Sequence, residues 1–356
     1  MRVSSFLIYD RVTKAIQQDL EELYYLYEQA STGKKINRPS EGVIETSRAM
    51  VYKLSIRAKE QFKKNITDTK VFLEATDTVL AHVSDSLIRT KELALQAVNG
   101  TLSNEDRISI SKEIEEIRGH LLSLSNTTVR GKYIFSGMKT DTPAYDTTTG
   151  TYQGDQNYIL VPTSSDGTVK KNLLGPDAFS YVQGSHEVVD FGGGLYLHYI
   201  PGQNIDPAAP QERVVVVFST SADPSTVEAE LQAGPPYTTV QDIFQYDNVF
   251  QALEIMKTAL EQNNYNRLQA MLKSIDDFID QTASGRAEVG ARLNYLDAEI
   301  ERIEDNTLSL KEALSETEDA DLAEVISNIS KTEAALQALR QAGERLLSNS
   351  LFDFIK

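Results

Sequence analysis

The sequence predicts a mainly α-helical protein with a β-rich insertion, in which both termini form a long coiled-coil rod around a small central β domain. Three observations carry this. Apolar residues recur at alternating three- and four-residue steps near both ends of the chain. Between about Thr140 and Thr239 the texture changes to Thr, Gly, Pro, Ser and Asp with short β-like runs. Turn-forming residues stand where one texture gives way to the other.

Near the start, Tyr9, Ile16, Leu20, Leu23, Tyr27 and Ala30 form one stripe, with Val12 or Thr13 filling the gap. Such spacing is the narrow seam of a coiled coil rather than the broad face of a globular helix. It stops at Gly33, ahead of a break at Pro39-Ser40. A longer seam follows through Phe62, Ile66, Thr69, Leu73, Thr76, Leu80, Val83, Leu87, Thr90, Ala94 and Ala97. Its helix, from about Glu45 to Val98, spans roughly 80 Å at 1.5 Å per residue. Asn99-Gly100 supplies a left-handed cap. Ser103 and Asp106 then make a capping-box pattern ahead of a seam at Ile110, Ile114, Ile117, Leu121 and Leu124.

In the middle, 158–161, 195–197 and 214–218 read as strands. Helical periodicity returns around Ile243 and continues through Leu293, Leu296, Ile300, Ile303, Thr307, Leu310 and Leu314. An acidic stretch from Glu316 to Asp321 shifts the register by one residue. The seam resumes at Leu322, Val325, Ile329, Thr332, Leu336, Leu339, Gly343 and Leu346. These marks divide the chain into an N-terminal coiled-coil segment (1–40), a helical rod core (41–139), a β-rich outer domain (140–240), a second core segment (241–310) and a C-terminal coiled-coil segment (311–356).

The 356 residues carry a formal charge of −17, which argues against binding to nucleic acid or to an anionic membrane surface. No apolar stretch approaches a membrane span, and Phe6 to Tyr9 is too short for a signal-peptide core. The absence of cysteine excludes disulfides, thiolate metal sites and thiol catalysis. Gly192-Gly193-Gly194 precedes a strand-like run, so it reads as a hairpin turn and not as a phosphate cradle. Glu316, Glu318, Asp319 and Asp321 lack the ligand pattern of a calcium loop and read as a solvated acidic turn. His82, His120, His186 and His198 show no metal spacing, with His82 and His120 at the surface or core edge of helices. No catalytic, cofactor or metal site is expected, and the chain does not read as an enzyme.

A narrow apolar stripe needs a partner, either elsewhere in the chain or on another copy of it. Candidate subunit-interface positions are Ile16, Leu20, Leu23, Tyr24 and Tyr27 near the start, and Leu322, Val325, Ile329, Leu336, Leu339, Leu346, Phe352 and Phe354 near the end. The tyrosines form a dense aromatic patch that fits either an ordinary core or a subunit contact. The apolar tail around Phe352 and Phe354 suggests docking into a neighbour or a chaperone groove.

Specific residues then narrow the class. Ser31-Thr32-Gly33-Lys34-Lys35-Ile36-Asn37-Arg38-Pro39-Ser40 resembles the N-terminal motif shared by flagellins and junction-type flagellar hook-associated proteins. Asn99 to Arg107 is similar to that family's turn between core helices, and Gly131 to Gly137 to its exit into the outer domain. Asp319 to Glu324 and Leu351 to Ile355 resemble its C-terminal helix and tail. One departure stands out: Glu41-Gly42-Val43 replaces the family's two aspartates and proline, leaving one negative charge near the next helix start.

The resemblance implies a structural subunit that is exported unfolded through the flagellar type III apparatus, with an export chaperone and no cleaved signal peptide. It implies ends that become coiled coil on polymerisation, in an extracellular homo-oligomeric ring between hook-associated protein 1 and flagellin. Flagellin itself is the alternative within the family. A binding module or enzyme carried by the central β domain is the alternative outside it.

Overall fold

The computed structural model describes residues 2–99, 102–180, 184–203 and 213–354, and their side chains apart from 2–6, 8–9, 203 and 346–354. Gly100 and Thr101 of the expected interhelical turn lie outside the described residues. In chain order the elements are α1 (Arg2–Thr32), α2 (Val43–Val98), α3 (Asn104–Ser125), β1 (Thr128–Val129), β2 (Lys132–Tyr133), β3 (Leu160–Pro162), β4 (Thr168–Lys170) and α4 (Gly175–Phe179). They continue with β5 (Glu187–Gly192), β6 (Leu195–Gln203), β7 (Arg213–Ser219), α5 (Pro224–Ala233), β8 (Val240–Tyr246), α6 (Val249–Glu261), α7 (Tyr265–Glu318) and α8 (Leu322–Phe354). The chain is thus mainly α with a central antiparallel sheet region. Two compact units result, Met1–Gln61 with Glu301–Lys356, and Phe62–Ile300, and α2 and α7 contribute to both.

In the first unit α1 and α8 pack antiparallel. The Tyr27 hydroxyl donates to Glu333 Oε1 at 2.6 Å, and Val12 lies beside Gly343. The shift of register expected at the acidic stretch is a helix break between α7 and α8, where Asp321 accepts the N–H groups of Ala323 and Glu324 through Oδ1. A carboxylate at that position satisfies amides that the first turn of a helix leaves unpaired.

In the second unit the α2 seam is buried from Ile66 to Ala97. Its three threonines escape the cost of a buried hydroxyl by donating back one turn: Thr69 to the Asn65 carbonyl, Thr76 to Phe72 and Thr90 to Ser86, at 2.8, 2.9 and 2.9 Å. Helix α7 runs antiparallel to α2, as ion pairs of Lys70 with Asp297, Asp77 with Arg286 and Lys91 with Asp276 record. Helix α3 begins with the expected capping box between Ser103 and Asp106 and packs on α6.

The sheet order is β5-β6-β7-β8, antiparallel throughout. One face packs through Ile200, Val215 and Val217 on Val227 and Leu231 of α5. The other meets α7, where the Tyr199 hydroxyl donates to the Ala270 carbonyl at 2.6 Å and the Tyr246 hydroxyl to Ser274 Oγ at 2.7 Å. A strand covered on both faces reads as an unbroken apolar run, which is why Val214 to Phe218 lacks alternation. The three glycines at 192–194 turn the β5–β6 hairpin with φ of 86°, 66° and 80°, a backbone that other residues rarely adopt.

Strand β5, which the hairpin at 192–194 requires, lies on an exposed edge with Val188 and Val189 bracketed by acidic residues. The sheet differs from the sequence reading at its other edge. Strand β8 occupies the point where helical periodicity was expected to return. The three-residue step from Val240 to Ile243 imitates a helix, but these residues pack toward α5 while Phe244 and Tyr246 are buried. The helix starts at Val249 behind Asn248, whose Oδ1 accepts the N–H groups of Phe250 and Gln251. The β-like run at 158–161 pairs only from Leu160, opposite Lys170.

Between α3, α4 and α6 sits an aromatic cluster. Tyr145 meets Phe250 edge-on at 4.9 Å between ring centres and Phe179 at 5.6 Å, all three fully buried. Replacing Phe250 by Ala is expected to lower the stability of this unit by about 3–5 kcal/mol. Urea unfolding of the two proteins measures the difference.

Candidate assembly site

The segment after α1 is built around one carboxylate. Gly33 ends the helix with a φ of 70°, a left-handed cap that glycine adopts without strain. The chain then pairs with the α7–α8 break in both directions. The Lys35 N–H donates to the Glu318 carbonyl at 2.7 Å, and the Ala320 N–H donates to the Gly33 carbonyl at 2.9 Å. Gln29 Nε2 and the Tyr25 hydroxyl both donate to the Lys35 carbonyl, at 2.9 and 3.0 Å.

Beneath this pairing the Glu318 side chain accepts Lys34 and Lys53, the latter at 2.6 Å. Glu318 is 8% exposed, so the acidic turn is solvated at Glu316, Asp319 and Asp321 but not at Glu318, contrary to the sequence reading. The reason is distance along the chain: both lysines arrive from the other terminus. Burial acts to raise the Glu318 carboxyl pKa, and the bonds from Lys34 and Lys53 outweigh it and leave the group below its usual range.

Glu41, where the sequence departs from the family pattern, turns back into its own loop. Its Oε2 accepts the N–H groups of Asn37 and Arg38 at 2.9 and 3.1 Å. Arg38 in turn reaches Glu28 on α1 at 3.3 Å. One carboxylate therefore fastens the Ile36 to Ser40 loop rather than acting on the helix that follows.

The seam positions divide three ways. Val325 and Leu336 of α8 are buried, as is Leu26 of α1, which the sequence reading passed over. Ile16, Leu23, Ile329 and Leu339 are half-buried. Leu20, Tyr24, Tyr27 and Leu322 are exposed, with Tyr24 at 66%. Exposed Ile326 adjoins them on α8. The side chains of Leu346, Phe352 and Phe354 lie outside the described residues.

Sequence reasoning also missed an apolar strip on the first turns of α2. Val43, Ile44, Met50, Val51 and Leu54 are all more than half exposed. Spacings of seven, four and three residues place them along one side of the helix. Part of the signal was available, since Val51, Leu54 and Ala58 continue the apolar spacing upstream of Phe62. His82 and His120 are exposed, whereas His186 and His198 meet one another in the outer sheet at 2.9 Å.

First and last helices that pack on each other, with a sheet domain inserted between them in the sequence, are the features of a flagellin-type protein. Residues 3–140 match the family model for the bacterial flagellin N-terminal helical region, and residues 272–350 match that for the C-terminal helical region. The chain belongs to this flagellin family. Within it, the chain resembles flagellar hook-associated protein 3 over its full length. The chain is 26% identical to that protein of Salmonella typhimurium, over 99% of both chains. It is also 26% identical to that of Escherichia coli, over 100% of both. A solved structure described as a putative flagellar hook-associated protein from Vibrio parahaemolyticus shares the fold. It has a TM-score of 0.56 and 20% identity, and covers 78% of this chain and 100% of its own.

Glu318→Gln is expected to cost about 1–2 kcal/mol after allowance for solvent around the half-exposed lysines. Amide exchange at Lys35 and Ala320 measures it, and these amides should exchange faster in the variant. Because the folded carboxyl pKa is depressed, the contribution is full above the unfolded value and disappears as pH falls through the folded one. The same amides in the unaltered protein should therefore lose protection on acidification below about pH 4.5.

Proposed function

We propose that this chain is a structural subunit of the bacterial flagellum, the adaptor at the hook–filament junction, and catalyses no reaction. The observation that carries the proposal is the end-to-end correspondence with flagellar hook-associated protein 3, which spans both helical ends and the outer domain. The chain assembles with copies of itself into a ring, meeting hook-associated protein 1 on the hook side and flagellin on the filament side. It reaches this extracellular position through the flagellar type III export apparatus, escorted by a chaperone.

The apolar surface of the first unit supports an assembly role. Burial of α1 against α8 uses Leu26, Val325 and Leu336 and leaves Leu20, Tyr24, Tyr27, Leu322 and Ile326 facing outward. The strip from Val43 to Leu54 adds to this. Clustered exposed apolar side chains of this kind mark contact surfaces, unlike single ones scattered over a protein. Neighbouring copies would bury them by mass action, each association stabilising the ends further. Ile16, Leu23, Ile329, Leu339, Leu346, Phe352 and Phe354 complete the proposed interface.

Deleting the gene and imaging the cells tests the assignment. Intact hooks without filaments, with flagellin shed into the medium, are the expected result. Hooks with no flagellin anywhere would make this chain the filament subunit, and normal filaments would end the proposal. The double variant V51D/L54D should keep the helicity of the monomer, read by circular dichroism, yet fail to restore filaments to the deletion strain. Full restoration would remove the α2 strip from the interface.

A further inference from the structure

Two imidazoles in the outer sheet form a hydrogen-bonded chain whose proton count is fixed by its ends. His198 of β6 is fully buried, and its Nε2 lies 2.8 Å from the Ser221 carbonyl. A carbonyl only accepts, so Nε2 carries the hydrogen. His198 Nδ1 faces His186 Nε2 at 2.9 Å, and His186 Nδ1 faces Glu228 Oε1 of α5 at 2.7 Å. With Glu228 an acceptor-only carboxylate, His186 Nδ1 must donate. If His198 is neutral, its bare Nδ1 accepts from His186 Nε2. Every bond is then satisfied by one arrangement, a doubly protonated His186 between a carboxylate and a neutral ring.

We propose that His186 and His198 form a one-proton latch, a tie between the start of edge strand β5, strand β6 and helix α5 that is complete only while the pair carries a single extra proton. Once the pair loses that proton only two hydrogens remain for three bonds, so the bond to Glu228, the bond between the rings or the bond to Ser221 must be given up. With a second proton on the pair, His198 Nδ1 no longer accepts, and two cations stand 2.9 Å apart.

The surroundings favour the one-proton state. Burial holds the His198 ring below the usual imidazole range, the Ser221 carbonyl opposes this, His186 adds to it, and Asp223 at the start of α5 opposes it. Asp223 is itself occupied by Ser225 and Thr226. From β5, Glu187 is engaged by Lys273 of α7 at 2.7 Å and is not free to replace Glu228. On β7 the register partner of His198 is the apolar Val217. A group whose folded pKa is depressed in this way costs stability as pH falls through its unfolded value. The hydrogen count therefore weakens the latch on both sides of the one-proton state, by an added proton on the acid side and by the missing third hydrogen on the alkaline side.

Nitrogen-15 spectra of the imidazoles in the full-length monomer read the arrangement directly, with no substitution that could disturb folding. They should show hydrogens on both His186 nitrogens and on His198 Nε2 alone. Amide exchange over β5 and β6, corrected for intrinsic rates, should pass through a minimum between pH 5 and pH 9 and be about tenfold faster toward either end. H186Q should flatten that profile, while H82Q/H120Q, which removes the exposed histidines, should keep it. A His198 ring protonated on Nδ1 alone, a His186 ring with one hydrogen throughout, or an unchanged profile in H186Q would overturn the latch.

Discussion

A helix whose apolar residues fall three and four apart buries a narrow strip and needs company along its whole length. In α2 that company is complete from Ile66 to Ala97, where even the threonines are buried and satisfied by their own helix. The aromatic cluster and the sheet both lie within the same unit, packed on α3, α6 and α7. In the first unit the same spacing is only partly served, since α1 and α8 offer each other one strip and leave others open. A strip fully covered in the second unit and strips left open in the first are thus the main difference between the two units.

Glu318 and the turn it holds give the first unit its definition. Residues near the start and the end of the chain are joined there by two backbone bonds and two lysines on one carboxylate. The Gly-Lys pair of the motif at 31–40 thus has a physical reading. Glycine supplies the left-handed turn, and Lys34 supplies a charge to a carboxylate that burial would otherwise destabilise. Glu41 performs a parallel task inside its own loop, so the departure from the family's aspartates and proline still leaves the loop fastened.

Features that depend on neighbours in sequence were legible in advance. The α2 seam, the capping box at Ser103 and Asp106, the stop at Gly33 and the hairpin at 192–194 all rest on spacings of a few residues. Features that depend on distant partners were not. Glu318 looked solvated because Lys34 and Lys53 are hundreds of residues away. Strand β8 looked helical because Val240 and Ile243 answer to α5 while Phe244 and Tyr246 are buried elsewhere. Half of the histidine pair was within reach of sequence reasoning. A hairpin centred on Gly193 places Val188 opposite His198, and His186 follows two residues along on the same face. Glu228 arrives from a helix and could not be placed. Of the candidate interface, the seams were visible, but which side chains stay exposed is decided by how α1 and α8 meet.

This chain works as a short adaptor and not as the repeating unit of a filament. Gold-labelled antibody raised against the outer sheet domain, applied to intact hook–filament preparations and viewed by electron microscopy, distinguishes the two. A single narrow band of label between hook and filament is the predicted result. Label distributed along the filament, or absent from the flagellum altogether, would contradict it.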